Sequence, residues 1–305
     1  MKAMDIHADD YALSAGASED ILTCIRAGRL DSISVLTNMS CYGTYAGLYV
    51  EERKSGAWKK DPLLTVHLNF MEGRALAARG EVAGLVDGRG YFNLSWEKLF
   101  LWSFCPWKYA KAKKELKAEI KAQTAGFLKY FGGEQPLRFD GHQHTQMIPV
   151  VYHALLEAIR EEGYRVSYIR VTKEPIFPFA REASLWKTYR PVNWVKNLLL
   201  NLLSPAMERC VRKVTGQKPM FLWGVLLSGN MDQKRVSKLL PAMKKQSMGR
   251  GRTLEILFHP GYSKREEMGE EFVSEDAKRF YCSEGRRREF GTVMNADIAF
   301  PLPKC

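Results

Sequence analysis

The sequence predicts an α/β fold: a distorted (β/α) barrel of about seven parallel strands with elaborated loops, in a single domain over 1–305. Two observations carry this reading. Short β-like runs alternate with helical runs along the chain, the pattern of strand–helix units with parallel strands. No glycine-rich phosphate loop follows any of these strands, so a closed or nearly closed barrel fits better than an open nucleotide-binding sheet.

The elements follow in order. The first strand runs into Asp9-Asp10. A helix comes next, with Ser18 as its N-cap, Glu19 and Asp20 in its first turn and Gly28 as its stop. Strands are predicted at 32–36 and at 63–67, the second ending on His67. A long basic helix at 109–130 leads to the strand that contains Asp140. A helix at 149–160 and strands at 164–170, 220–226 and 253–259 complete the series. Two stretches interrupt the alternation. Residues 88–108 carry Trp96, Phe100, Trp102, Phe104 and Trp107, which suggests a lid or groove wall. Residues 174–218 read as an inserted amphipathic and aromatic segment: Trp186, Tyr189 and Trp194, a leucine-rich run at 198–203, then Arg209, Arg212 and Lys213.

Composition narrows the function classes. An apolar share of 46% is that of a globular chain with a substantial core. The formal net charge of +12 brings membrane surfaces, nucleic acid and acidic substrates into consideration. Nucleic acid is discounted because no reading element is present. The lysines of 108–121 alternate with Glu115 and Glu119 as on a solvated helix face, and Arg286-Arg287-Arg288 is equally unspecific. The six cysteines, Cys24, Cys41, Cys105, Cys210, Cys282 and Cys305, are far apart with no CxxC pair, as expected of thiols in a reducing cytosol. Acidic residues break any signal-like run at the N-terminus, and no stretch approaches about 18 uninterrupted apolar residues. The expected location is cytoplasmic, with peripheral attachment to an inner membrane surface through 186–213 as an alternative.

The chemistry is suggested by where the polar residues fall. His142-Gln143-His144 follows Asp140-Gly141, and imidazoles at i and i+2 of extended chain point to one side. Asp9-Asp10, His67, Asp140, His142 and His259 all fall at the C-terminal ends of predicted strands, which in a barrel converge on one catalytic face. Neighbouring carboxylates on a strand diverge and meet different surroundings, so one of Asp9 and Asp10 can bind a cation while the other takes a proton. One carboxylate with two imidazoles leaves coordination positions open for water and substrate. Such mixed N/O ligation suits zinc, manganese, cobalt or iron and admits magnesium.

These residues also carry a resemblance. His7-Ala8-Asp9-Asp10-Tyr11-Ala12-Leu13-Ser14 resembles the N-A-D-D-F-G-L-S start of the YdjC/ChbG-like carbohydrate deacetylases, a family that includes chitooligosaccharide deacetylases and hopanoid-associated proteins. Val66-His67-Leu68-Asn69-Phe70-Met71-Glu72-Gly73-Arg74 is similar to their G-L-H-L-N-L-T-E-G segment. Asp140-Gly141-His142-Gln143-His144 before Pro149 resembles D-S-H-Q-H-V-H…P, and the stretch from Glu255 through His259-Pro260-Gly261 resembles E-x-x-x-H-P-G. The four matches come in family order; 174–218 falls outside them.

The resemblance implies a metal-dependent hydrolase that removes the N-acetyl group from an amino sugar. The divalent ion would be magnesium or zinc, with manganese or cobalt as alternatives. Asp10, His67 and His142 would hold it, Asp9 would be the general base and His259 the general acid. Asp140 would orient a histidine; His144, Arg170 and Glu255 would touch substrate or brace the ligands, Arg170 having an ordinary surface arginine as its plainer reading. The sequence departs from the family at His7 (usually Asn), Tyr11 (Phe), Ala12 (Gly), Gly141 (Ser) and Gln146 (His). The family's members are often dimers, so a homodimer is an expected partner state.

Three further readings stay open at this point. The same metal site would also serve hydrolysis of a phosphoester or another amide. A non-catalytic carbohydrate- or lipid-binding protein is the third class, against which the intact Asp9, Asp10, His67, His142 and His259 set argues. The segment 186–213 is either a helical hairpin packed on the barrel or an interfacial element that grips a lipid-linked or hopanoid-type glycosamine at an anionic membrane surface.

Overall fold

In the computed structural model, which describes residues 3–133 and 135–295, the strands are β1 (Met4–Tyr11), β2 (Ser32–Val35), β3 (Leu63–Leu68), β4 (Leu137–Gly141), β5 (Val166–Ile169), β6 (Phe221–Trp223) and β7 (Leu254–Phe258). They form one parallel sheet in the order β5-β4-β3-β2-β1-β7-β6. The helices are α1 (Ala15–Arg26), α2 (Tyr42–Lys54), α3 (Trp96–Trp102), α4 (Pro106–Phe131), α5 (Pro149–Glu162), α6 (Phe177–Arg181), α7 (Pro191–Thr215), α8 (Gln233–Met248), α9 (Glu275–Tyr281) and α10 (Glu284–Met294). The α/β barrel-like architecture expected from the sequence is the one observed.

Period-two alternation decides which residues enter the lumen. Asp5, His7 and Asp9 of β1, Ser32 and Ser34 of β2, Thr65 and His67 of β3, Arg138 and Asp140 of β4, Tyr168 of β5 and Glu255 of β7 are all buried. Strand register sets them side by side: Asp5 pairs with Glu255, His7 with Ser32, Ser34 with Thr65, His67 with Asp140 and Arg138 with Tyr168. The alternate positions, among them Ile6, Ala8, Ile33, Val35, Val66, Phe139, Ile256 and Phe258, join the buried hydrophobic core. Strands buried on both faces usually read as continuous apolar runs. Here the outer layer is apolar and the lumen is a column of charge.

The sheet is open between its edge strands, β5 and β6, and side chains bridge the seam. One main-chain bond crosses it, from Leu222 N to Lys173 O at 3.1 Å. Glu174 completes it: its carboxylate accepts from the amides of Gly224 (2.7 Å), Val225 (3.0 Å) and Leu226 (2.9 Å), and from the Asn197 side chain. The carboxylate stands where a neighbouring strand's carbonyls would stand. The segment 174–218 is the crossover between these two edges, and α7 packs on β5.

Some local expectations change. Ser14, not Ser18, caps α1, accepting from Ala17 N at 3.2 Å. Ser18 lies within the helix, where its hydroxyl donates to Ser14 O and accepts from Ala12 N. The aromatic stretch 88–108 packs largely on itself and on α4 and α5, with Trp96 stacked on Phe100 at 5.2 Å. None of its residues lines the cleft that contains Asp9, Asp10, His67, His142 and His259, so it is not the wall of that cleft. Cys24, Cys41, Cys105, Cys210 and Cys282 are free thiols; Cys305 lies outside the described residues. Among the described residues no helix is long and apolar enough to cross a membrane.

Candidate metal centre and catalytic cleft

The site is built where β1 loses its regular register. The β1–β2 pairing shifts between Ala8 and Tyr11, and Asp10 and Ala12 take left-handed backbone conformations, with φ of +74° and +68°. Such angles cost non-glycine residues about 1–3 kcal/mol each and are found where function holds them. The bulge overrides the expected divergence of neighbouring side chains. His67 Nε2 lies 3.5 Å from Asp10 Oδ1 and 4.0 Å from Asp9 Oδ2.

The His142–His144 stretch differs from the extended chain that the sequence suggested. Residues 142–147 form a tight turn after β4, with Gln143 and His144 at φ of +54° and +60°. Both histidines nevertheless line the same cleft, because the turn folds His144 back over the strand end.

Asp10, His67 and His142 offer one carboxylate oxygen and two imidazole nitrogens that lie within 4.8 Å of one another, all buried. The surrounding bonds aim them. His67 Nδ1 is held by Asp140 Oδ1 at 2.6 Å, which leaves Nε2 facing Asp10. His142 Nε2 pairs with the Tyr281 hydroxyl at 2.7 Å, and the hydroxyl donates onward to Glu72 Oε1 at 3.3 Å. His142 Nδ1 is therefore the nitrogen that meets Asp10 Oδ1, at 3.0 Å. Ligating histidines braced through their second nitrogen are the common arrangement around protein metals. This donor set fits a divalent ion with open coordination positions. His7, Asp9 and Asp140 also converge, but a guanidinium already fills that place: Arg170 Nη1 lies 2.9 Å from Asp9 Oδ2 and 2.7 Å from Asp140 Oδ2.

Arg170 departs from its plainer reading as a surface arginine and fits the bracing alternative. Its guanidinium is fully buried in the lumen, bonded to both oxygens of Asp9, to Asp140 and to Glu255, whose other oxygen accepts from Tyr168 at 2.5 Å. Glu255 likewise lies beneath the site, outside the cleft lining. Burial alone would raise the Asp9 carboxyl, but the Arg170 and His67 charges outweigh it and hold the group below the usual carboxylate range. Burial also opposes the charge on His67, yet Asp140 and Asp9 raise it to about 10. Its ring would give up a proton when a cation is bound at Nε2. For His142, burial dominates and lowers its pKa despite Asp10, so that imidazole is neutral.

His259 follows β7 and lines the cleft opposite these groups. Its main-chain N–H donates to Glu289 Oε2 at 2.6 Å, and its ring packs edge-on against Phe280 at 5.5 Å. His144 contacts Thr172 Oγ1 at 3.3 Å; burial, with Lys196 and Arg170 nearby, keeps it neutral. The cleft holds about 290 Å³ and is completed by Gln143, Arg190, Asn193, Lys196, Ser228, Ser274, Asp276, Ala277, Phe280 and Tyr281.

Several of these residues escaped sequence reasoning. Arg286, in a basic run that looked unspecific, is fully buried and donates to Asp10 Oδ2 at 2.8 Å. Tyr281 and Lys196 carried no motif. Glu72 lay inside a matched motif, and that was the one available signal for it.

Two departures from the family pattern prove to be linked. A Cβ on Gly141 would lie 2.8 Å from Gln146 Oε1 and 2.9 Å from Gln146 N. The glutamine side chain shares the room that a serine at 141 would need with its own main-chain N and with Thr145 Oγ1 at 3.0 Å. His7 is buried between Ser32 and Ser34, bonded to their hydroxyls at 2.8 and 2.6 Å, with Asp9 Oδ1 at 3.4 Å.

The sequence model of the YdjC-like protein family matches residues 4–299. A carbohydrate deacetylase of Danio rerio is 26% identical over 55% of this chain and 49% of its own length. One from Thermoanaerobacter pseudethanolicus is 28% identical over 58% of this chain and 64% of its own. The human carbohydrate deacetylase is 26% identical over 84% of this chain and 74% of its own. The chain thus spans about half the length of the Danio rerio protein and under two thirds of the bacterial one. A crystal structure of a proposed cellobiose-phosphate cleavage protein from Enterococcus faecalis V583 superposes with a TM-score of 0.62 at 18% identity, covering 97% of this chain and 92% of that one; it shares the fold.

Proposed function

The chain belongs to the YdjC-like protein family, and on that premise we propose that it is a metal-dependent hydrolase that removes the N-acetyl group from an N-acetylated amino sugar. The observation that carries the proposal is the convergence of the Arg170-held Asp9 and the Asp10, His67 and His142 triad on one cleft that also contains His259. A divalent ion held by that triad would polarise the acetyl carbonyl and acidify the attacking water.

The chain's own groups account for the proton movements. Asp9, kept ionised, takes the proton of the attacking water at Oδ1 or Oδ2 while Arg170 fixes the plane of the carboxylate. The tetrahedral carbon then expels the sugar nitrogen, which must receive a proton to leave as an amine. His259, which lines the same cleft, gives it. His144 and Asn193 are neutral hydrogen-bonding groups for sugar hydroxyls.

The test is acetate release from a panel of N-acetylglucosamine substrates, soluble and lipid-linked, with chelator and with added zinc, cobalt, manganese or magnesium. Acetate that depends on metal and disappears in Asp9→Asn supports the reading. Metal bound at the triad with no acetate from any substrate overturns it and points to another hydrolysed bond.

A further inference from the structure

α7 has two faces of opposite character beside the cleft. Asn197, Leu200, Ser204, Met207 and Val211 are buried against the barrel. Val192, Val195, Leu198 and Leu202 recur at helical spacing on the other side and are 54–69% exposed. A helix that only packed on the barrel would be polar there. Earlier in the same segment, Phe177 and Trp186 are also exposed, at 64% and 57%. Downstream, Arg209, Arg212 and Lys213 are exposed.

Between these two faces, Arg190, Asn193 and Lys196 reach into the cleft. The contact that fixes Asn193 is known: its amide donates to Leu226 O at 3.0 Å. The two cations are different. Glu174, the acid near Lys196, is already engaged by three amides and Asn197. Neither Arg190 nor Lys196 has an ion-pair or side-chain hydrogen-bond partner among the described residues. Burial lowers the Lys196 ammonium to about 8, with Glu174 only partly opposing; an anion beside it would restore the lost solvation. A cleft of about 290 Å³ is at the small end of ligand sites. Arg190 and Lys196 line the cleft from the start of α7, and the apolar stripe runs along the same helix.

Resting on the deacetylase reading, we infer that the substrate is an N-acetylated sugar joined to a lipid through phosphate: Arg190 and Lys196 hold the phosphate, and the lipid chain lies along Val192, Val195, Leu198 and Leu202. The site thereby selects an anion and an apolar chain together, at the edge of a membrane. Soluble sugar phosphates supply the first alone, and neutral alkyl glycosides the second alone.

Affinity is measured on the full chain with chelator present, so that no turnover intervenes. Three probes are compared: farnesyl-diphospho-N-acetylglucosamine, N-acetylglucosamine 1-phosphate and octyl N-acetylglucosaminide. The first is expected to bind at least about tenfold more tightly than either of the others, since each charge-assisted contact is worth a factor of roughly ten or more. Arg190→Gln with Lys196→Gln erases its advantage over the octyl glycoside. Leu198→Ser with Leu202→Ser erases its advantage over the 1-phosphate. Equal affinity for the three probes, or unchanged preferences in both variants, overturns the inference. Acetate release from a soluble fragment without any such preference sinks this inference alone. The preference without acetate from any substrate sinks the deacetylase reading alone.

Discussion

Arg170 grips both carboxylate oxygens of Asp9 from inside the barrel, with Nη1 2.9 Å from Oδ2 and Nη2 3.0 Å from Oδ1. Removing the guanidinium leaves Asp9, Asp140 and Glu255 facing one another without the cation that joins them. Arg170→Met is expected to cost about 3–5 kcal/mol in denaturant unfolding, the range for breaking a buried ion pair. Arg170→Lys keeps the charge and loses the two-point grip. Because Arg170 lowers the Asp9 pKa, the lysine variant's acid limb of activity moves to higher pH. An unmoved limb with normal stability would rule out this role for the arginine.

Metal content separates the two neighbouring aspartates. Asp10→Asn, His67→Ala and His142→Ala each remove a donor, so purified protein is expected to hold far less metal by elemental analysis. Asp9→Asn leaves the donor triad whole. It keeps its metal while losing about 10²–10⁴-fold in turnover, the usual contribution of a general base. Loss of metal from the Asp9 variant would move that residue into the ligand set.

The Gly141–Gln146 contact makes a double-mutant cycle informative. Gly141→Ser alone drives a Cβ against Gln146 and is expected to destabilise by about 1–3 kcal/mol. Gln146→His alone removes Oε1 from that contact and leaves the main-chain N and Thr145 in place. The two together should recover at least part of the loss, with a coupling of about 0.5–3 kcal/mol. Strict additivity in urea unfolding would mean that the two departures are unrelated.

Glu72 predicts a pH dependence of stability. Burial raises its pKa from 4.5 to about 8, with the Val273 amide and Tyr281 hydroxyl only partly opposing. A raised carboxyl folds best when protonated. Its stabilising contribution is complete below pH 4.5 and falls as pH rises towards 8, by up to about 1.4 kcal/mol per pH unit. Glu72→Gln mimics the neutral form, so the difference between the two stability curves should open across that window. Parallel curves would show that Glu72 is already ionised in the fold.

Much of the site was legible because strand ends are legible. Asp9, Asp10, His67, His142 and His259 each close or follow an apolar run, and a barrel brings such ends to one face. Backbone conformation was not legible: nothing in the residue types announced a left-handed Asp10 or a tight turn at 142–147. The polar lumen was written in plain alternation, as Asp5-x-His7-x-Asp9 and Arg138-x-Asp140. It went unread because polar residues inside parallel strands run against the usual pattern. Arg286 could not have been found from its neighbours, since Arg287 and Arg288 beside it are exposed and only packing singles one out.

The contact between Asp10 and Arg286 joins positions 276 residues apart. Asp10 thus takes its guanidinium from α10, a helix that packs on α1, α8, α9 and β7. Loss of that helix would leave a buried carboxylate without its cation, so damage at α10 reaches the bulge of β1 as well as the helix's own neighbours.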